Sequence, residues 1–209
     1  MPPKKRRRFV RPLGERRYRK MFVLATEGSK TESQYFSIFN DANLTVHIKF
    51  LKGGDRSAPT QVLKRMRGYL EEINLGSPDE AWLVVDKDQW TDEQLLQLHE
   101  WAEEAGNYGF ALSNPKFEFW LLLHFEDGRG VSNSQACSQR LKLYMPNYNK
   151  DISRKNISRT MIEKAVNRAK ELDTPACSHW PLSSGTTVYR LVENILRTQY
   201  VDIAAGEEQ

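Results

Sequence analysis

The sequence is poor in the residues that build disulfide frameworks and zinc sites. Its 209 residues include two cysteines, Cys137 and Cys177, and four histidines that lie far apart along the chain. Neither cysteine belongs to a CxxC pair, so we expect two reduced thiols and a cytoplasmic protein. The histidines do not have ligand spacing, which argues against a zinc centre.

Long apolar runs are also missing. The longest apolar stretch, Phe117 to Phe125, is interrupted by Glu118 and His124, whereas a membrane-spanning helix needs about 20 apolar residues. The basic N-terminus has no apolar segment behind it and does not fit a secretory signal. We therefore expect no membrane segment.

The phosphate-binding loop of nucleotide hydrolases is absent as well. Residues 28–31 read Gly-Ser-Lys-Thr, but the Walker pattern requires a glycine directly before the lysine, where this chain has Ser29. Nucleotide hydrolysis by this chain alone is therefore not expected.

Positive charge is concentrated at the N-terminus. Residues 1–20 hold ten basic residues and one acidic residue, a charge of +9, whereas the whole chain carries +4 and the remainder therefore −5. So dense a cluster is typical of an arm that binds nucleic-acid phosphates, although a solubilising tail, a protein-binding tail or an import signal would share this composition. The predicted nucleic-acid contacts in this arm are Lys4, Lys5, Arg6, Arg7 and Arg8.

Apolar patterns between residues 21 and 125 predict an α/β fold. The predicted strands are 21–25, 45–51, 81–85 and 110–112, and the predicted helices begin near Thr31, Pro59 and Thr91. Alternating strands and helices indicate an open, mainly parallel four-stranded sheet flanked by helices. Residues 45–51 alternate between apolar and polar, which favours a strand near the sheet edge.

Beyond residue 125 the pattern is helical. Residues 134–145, 158–172 and 186–198 predict helices with no convincing strand between them. We therefore expect three parts: a basic flexible arm (1–20), an α/β domain (21–125) and a helical C-terminal extension packed on it (126–209).

Three acidic residues follow two of the predicted strands. Glu27 follows the first strand, and Asp86 and Asp88 follow the third. Ligands in open α/β sheets bind beyond the carboxyl ends of the strands. If these two strands are neighbours, the carboxylates converge, and a hard divalent cation such as Mg2+ would neutralise them. An Asp at such a position also commonly turns the chain or caps a helix.

The same residues carry a resemblance to known proteins. Glu27-Gly28 and Asp86-Lys87-Asp88 resemble the Toprim domain of topoisomerases, primases, ribonuclease M5-like and OLD-type nucleases. Three longer segments are similar to the RloB-like proteins: residues 26–36, 85–88 and 113–125. The resemblance covers about residues 20–200.

The resemblance implies a Toprim fold and a Mg2+-dependent nuclease, with Mn2+ as a possible substitute. It also implies anti-phage or restriction defence and an ABC-type ATPase partner. It assigns metal binding to Glu27, Asp86 and Asp88, with Glu27 also a general acid or base. We include Lys87 and Glu118 with Glu27 among the predicted catalytic residues.

Further candidates lie close to these motifs. Lys30, Asn114 and Lys116 are predicted to contact nucleic acid, although the lysines could be solvated and Asn114 could be a turn residue. Glu118 could instead pair with Lys116 or an arginine. Glu32 either joins the acidic cluster or occupies a first helical turn, where negative charge is favoured.

Two other functions fit the sequence. One is a non-catalytic subunit that binds nucleic acid or an ATPase partner through a Toprim fold. The other is an RNA-processing ribonuclease of M5 type, which leaves DNA and RNA both open as substrates. Oligomeric state is not predicted.

Overall fold

The computed structural model describes residues 19–28, 30–40, 45–51, 58–87, 90–148 and 152–207, with side chains up to residue 199. Residues 1–18, which hold the predicted contacts of the basic arm, lie outside these ranges, and so does Asp88. Within the described residues, no helix is both long and apolar enough to cross a membrane.

Strands and helices alternate through the first two thirds of the chain, as predicted. The strands are β1 (Lys20–Thr26), β2 (Val46–Phe50), β3 (Glu80–Asp86), β4 (Tyr108–Asn114) and β5 (Gly185–Thr186). The helices are α1 (Thr31–Ser37), α2 (Pro59–Glu72), α3 (Asp92–Ala102), α4 (Phe117–Leu122), α5 (Ser134–Tyr144), α6 (Arg159–Leu172) and α7 (Val188–Glu207). Thr91 caps α3 in a capping box with Gln94.

The sheet has the order β2-β1-β3-β4-β5, and its first four strands are parallel. The predicted α/β class with a mainly parallel sheet is confirmed, and β2 lies at the edge. β1 and β3 are direct neighbours, with Thr26 opposite Val84. Their carboxyl ends therefore lie side by side, as the proposed site requires.

The predicted number of strands was wrong, because β5 adds an antiparallel fifth strand to β4. A strand of two residues is too short to show the alternation of apolar and polar residues by which strands are predicted. Side chains hold the pairing: Thr187 Oγ1 accepts a hydrogen bond from the Leu112 amide at 2.9 Å, and the Ser113 and Thr186 hydroxyls lie 2.8 Å apart. The last helix consequently begins at Val188 rather than at residue 186.

Both faces of the sheet are covered. Val23, Leu83 and Val85 face α2 and α3 in one apolar cluster. Phe22 and Val84 face the opposite way, in a larger cluster with α1 and the helices of the C-terminal region. The continuous apolar strands in the sequence follow from this two-sided burial. The proposed domain boundary at residue 125 stays a prediction.

Gly109 precedes the strand predicted at residues 110–112 but belongs to β4, opposite Trp82. A Cβ atom at this position would lie 2.5 Å from the Trp82 indole. Glycine is therefore required here by the packing of the ring rather than by chain reversal.

Candidate functional site

The candidate site lies where β1 and β3 end. The Glu27 amide donates to the carbonyl of Val84 at 2.9 Å, so the parallel pairing continues one residue beyond β1. This contact places Glu27 beside the last residues of β3, which ends at Asp86. The structure thus brings together two of the three acids that the sequence singles out.

The Glu27 carboxylate is oriented by two donors. One oxygen accepts a hydrogen bond from the Asp86 amide at 3.1 Å, and the other accepts one from the Trp90 indole at 3.0 Å. The first donor belongs to the last residue of β3, and the second lies four positions beyond it. Glu27 is therefore turned towards the end of β3, and its rotamer is held by groups outside its own strand.

Glu32 supplies a further carboxylate from the first turn of α1. It is 5% exposed and accepts a hydrogen bond from the Gly28 amide at 3.0 Å. A Cβ atom on Gly28 would overlap this carboxylate, so the glycine permits the close approach. Burial raises the pKa of Glu32, and Glu118 and Glu27 raise it further, although the Gly28 hydrogen bond opposes them.

Asp86 lies among these carboxylates at the end of β3. Burial raises its pKa well above the ordinary value, and the charges of Glu32, Glu27 and Glu118 raise it further. A hydrogen bond from the Phe117 backbone acts in the opposite direction. The four carboxylates therefore form one negatively charged cluster, which we call the carboxylate cluster.

Glu118 joins this cluster from α4. Its carboxylate lies 3.9 Å from the Lys116 ammonium, which also donates to the Ser138 hydroxyl at 2.7 Å. Burial raises the pKa of the Tyr148 hydroxyl, and the nearby Glu118 carboxylate raises it further. The Lys116–Glu118 salt bridge that was considered as an alternative is therefore present, although the two groups are 3.9 Å apart. Glu118 also contributes its charge to the carboxylate cluster.

The other predicted residues take part in structural contacts. The Lys87 ammonium lies 2.5 Å from the Asp92 carboxylate and 3.2 Å from the Trp90 carbonyl, beside the start of α3. Asn114 donates to the Pro181 carbonyl at 2.9 Å. Lys30 is exposed at the start of α1. Their roles towards a substrate stay predictions.

Sequence patterns missed two side chains that contact the cluster. Trp90 lies just beyond the Asp-Lys-Asp motif, where an aromatic residue usually signals packing. Tyr148 is separated from Glu118 by 30 positions, and no local pattern links them. Only the folded chain brings the Trp90 donor to Glu27 and Tyr148 close to Glu118.

The donor chemistry of the cluster fits a hard divalent cation. Carboxylate oxygens are the ligands that Mg2+ prefers, and Mg2+ commonly uses one or two protein carboxylates together with waters and substrate phosphates. Burial, followed by the charges of Glu32, Glu27 and Glu118, raises the pKa of Asp86, and a bound cation would offset both effects. Within the described part of the chain, no three His, Cys, Asp or Glu residues are arranged as a metal-binding group. Asp86 and Glu27 would supply the one or two protein carboxylates that Mg2+ commonly uses. Asp88 lies outside the described residues.

Comparison with known proteins places this site within a family. Residues 22–195 match the family described as RloB-like protein. The match covers well over half of the chain and includes Glu27, Glu32, Asp86 and Glu118. No curated protein and no solved structure matched the chain. The wider relationship to Toprim and OLD-type nucleases stays a prediction. On the extent of this match, the chain belongs to the RloB-like protein family.

Proposed function

We propose that this protein is a Mg2+-dependent nuclease that cleaves the phosphodiester bonds of DNA or RNA, in anti-phage or restriction defence. The observation that carries the proposal is the carboxylate cluster at the adjacent carboxyl ends of β1 and β3. Crowded carboxylates with a raised pKa are a common feature of catalytic sites. In an open α/β sheet they also occupy the position where ligands bind.

Each acid has a proposed task. Asp86 and Asp88 would hold Mg2+, which supplies charge stabilisation to a reacting phosphate. Glu27, fixed by the Asp86 amide and the Trp90 indole, would hold or move a proton as general acid or base, or serve as a further ligand. Glu32 and Glu118 would add negative charge, which favours binding of a divalent cation.

Substrate contacts would come from positively charged groups. The basic arm would bind phosphates without regard to sequence, and Lys30 and Lys116 would contribute near the site. The family resemblance also supports an ABC-type ATPase as a protein partner.

The decisive experiment incubates the purified protein with supercoiled plasmid, linear DNA, single-stranded DNA and RNA, in Mg2+, in Mn2+ and in EDTA. We expect cleavage that requires the metal and is abolished by Glu27→Gln and by Asp86→Asn. Glu71→Gln makes the same chemical change on an exposed part of α2 and serves as the matched control. Cleavage that survives in both site variants would reject the proposed site.

A further inference from the structure

A groove lies next to the carboxylate cluster. It is lined by Phe125, Tyr144, Met145, Pro146, Asn147, Tyr148 and Asn156, and it encloses a cavity of about 300 Å³. This volume is at the lower end of the range for small-molecule sites. The groove therefore suits one flat group rather than a large ligand.

An aromatic stack forms one side of the groove. The rings of Phe125 and Tyr144 have centroids 5.1 Å apart and an interplanar angle of 11°. Tyr144 is 45% exposed, and its hydroxyl donates to the Glu126 carboxylate at 3.1 Å, which fixes the ring. A fixed, exposed aromatic ring is a surface on which a base can stack.

A polar group lies elsewhere along the groove. Asn147 is exposed. Its side-chain amide has donor and acceptor atoms. Base edges present the complementary groups, so the groove offers both stacking and hydrogen bonding.

The groove and the cluster share a wall. Tyr144 lines the groove from α5. Ser138 of the same helix accepts a hydrogen bond at 2.7 Å from Lys116, whose ammonium lies 3.9 Å from the Glu118 carboxylate. Tyr148 also lines the groove, and Glu118 raises the pKa of its hydroxyl in addition to burial. A nucleotide whose base occupies the groove would therefore have its backbone close to the acids. The faces of a base are accessible for stacking in a single strand, whereas in a duplex neighbouring bases cover them.

We propose that this groove binds one unpaired base of a single-stranded substrate, stacked on Tyr144 beside the carboxylate cluster. The inference rests on the proposed nuclease function for the identity of the polymer. It goes further by naming unpaired nucleotides as the substrate class and Tyr144 as a specificity-determining residue.

The test measures binding in EDTA, so it does not depend on cleavage. Fluorescence anisotropy compares the full-length protein on a thymidine single strand of about twelve nucleotides with an abasic strand of equal length and charge. We expect wild type to bind the base-containing strand about tenfold more tightly. Tyr144→Ala should remove most of this preference, whereas Tyr144→Phe, which keeps the ring, should retain it.

Two further variants serve as a control and as a second test of the groove. Leu143→Ala changes the neighbouring side chain, which is 79% exposed and does not line the groove, and should leave the preference intact. Asn147→Ala removes an exposed amide from the groove and should reduce the preference even if Tyr144→Ala folds poorly.

Other results would overturn the inference. An equal affinity of wild type for both strands would do so, as would a preference that Tyr144→Ala and Asn147→Ala leave unchanged. If Tyr144→Ala alters sedimentation but not base preference, the surface is a protein interface instead. Base-selective binding without metal-dependent cleavage would uphold the groove and reject the nuclease. Metal-dependent cleavage without base preference would support the nuclease and reject the base-binding groove.

Discussion

The Glu27 carboxylate accepts a hydrogen bond from the backbone amide of Asp86 at 3.1 Å. The contact joins residues 59 positions apart through the ends of two adjacent parallel strands. It fixes the side chain of one acid against the backbone of another. The distance between these two acids is therefore set by the pairing of β1 with β3 rather than by flexible loops.

Asp86→Asn should stabilise the metal-free protein and remove its response to metal. The substitution relieves repulsion with Glu27, Glu32 and Glu118, and a gain of about 1 kcal/mol would raise Tm by about 2–4 °C for a protein of this size. Saturating Mg2+ or Mn2+ should raise Tm in wild type but not in the variant, because a ligand stabilises only the state that binds it. Differential scanning fluorimetry with Glu71→Gln as control measures both effects. Equal metal-induced shifts in all three proteins would contradict the assignment.

The stability of the metal-free protein should depend on pH through Asp86 and Glu32. Their pKa values are raised in the folded chain, above ordinary values of 3.8 and 4.5. Their protonation therefore contributes stability that is fully present below the ordinary values and is lost as pH rises through the folded pKa values. The double variant Glu32→Gln, Asp86→Asn should exceed wild type in Tm at neutral pH, with a gap that narrows towards pH 4. Tm should be measured across the pH range in EDTA. A Tm difference between the double variant and wild type that does not change with pH would refute this prediction.

Trp90→Phe should weaken the site without disrupting the fold. The ring would still pack against the cluster that contains Leu83, but the donor to Glu27 would be lost. Removal of a group that orients a metal ligand typically costs about 10- to 100-fold in metal affinity or activity. Metal titration followed by Tm, together with cleavage rates, tests this expectation. A variant with unchanged metal affinity and rate would show that the indole only packs.

Gly28→Ala should displace the Glu32 carboxylate. The added methyl group would overlap that carboxylate and break its hydrogen bond to the Gly28 amide. Leaving a buried acceptor without its donor costs about 1–3 kcal/mol. Gly106→Ala is the matched control, because a Cβ there meets nothing within 4 Å. Similar urea midpoints for the two variants would exclude the proposed constraint.

Deletion of residues 1–18 should weaken nucleic-acid binding and flatten its salt dependence. Each phosphate contact that is lost should reduce the slope of log K against log salt by about 0.9 on duplex DNA. The cleavage rate at saturating substrate should change little, since the carboxylate cluster is retained. Binding isotherms at several salt concentrations measure the slope, and an unchanged slope would assign the arm another role.

The sequence revealed the parts of the site that depend on local patterns. Apolar strands followed by Glu27 and by Asp86 are visible without a structure, because buried parallel strands are continuously apolar. The same applies to the edge strand at Val46–Phe50 and to the cap at Thr91. Strand order did not follow from the sequence: the adjacency of β1 and β3 was a condition of the predicted site, and the structure supplies it.

Long-range contacts could not be predicted in this way. Tyr148 reaches Glu118 and Trp90 reaches Glu27 only because the chain folds back on itself, and neither contact leaves a periodic signal. Gly109 lies outside the strand predicted at residues 110–112, and only the folded chain shows that the packing of Trp82 requires a glycine there. β5 was not predicted because its two residues are too few to show an alternation of apolar and polar residues.

The pairing of β5 with β4 links residues 185–186 to the strand that leads into α4 and the carboxylate cluster. Ser113 and Asn114, which precede α4 and its Glu118, acquire their backbone partners from Gly185 and Thr186. A fragment ending at residue 125 would contain β4 without β5, so the outer edge of β4 would lack its antiparallel partner. Such an unpaired strand edge is a site at which fragments can associate with one another.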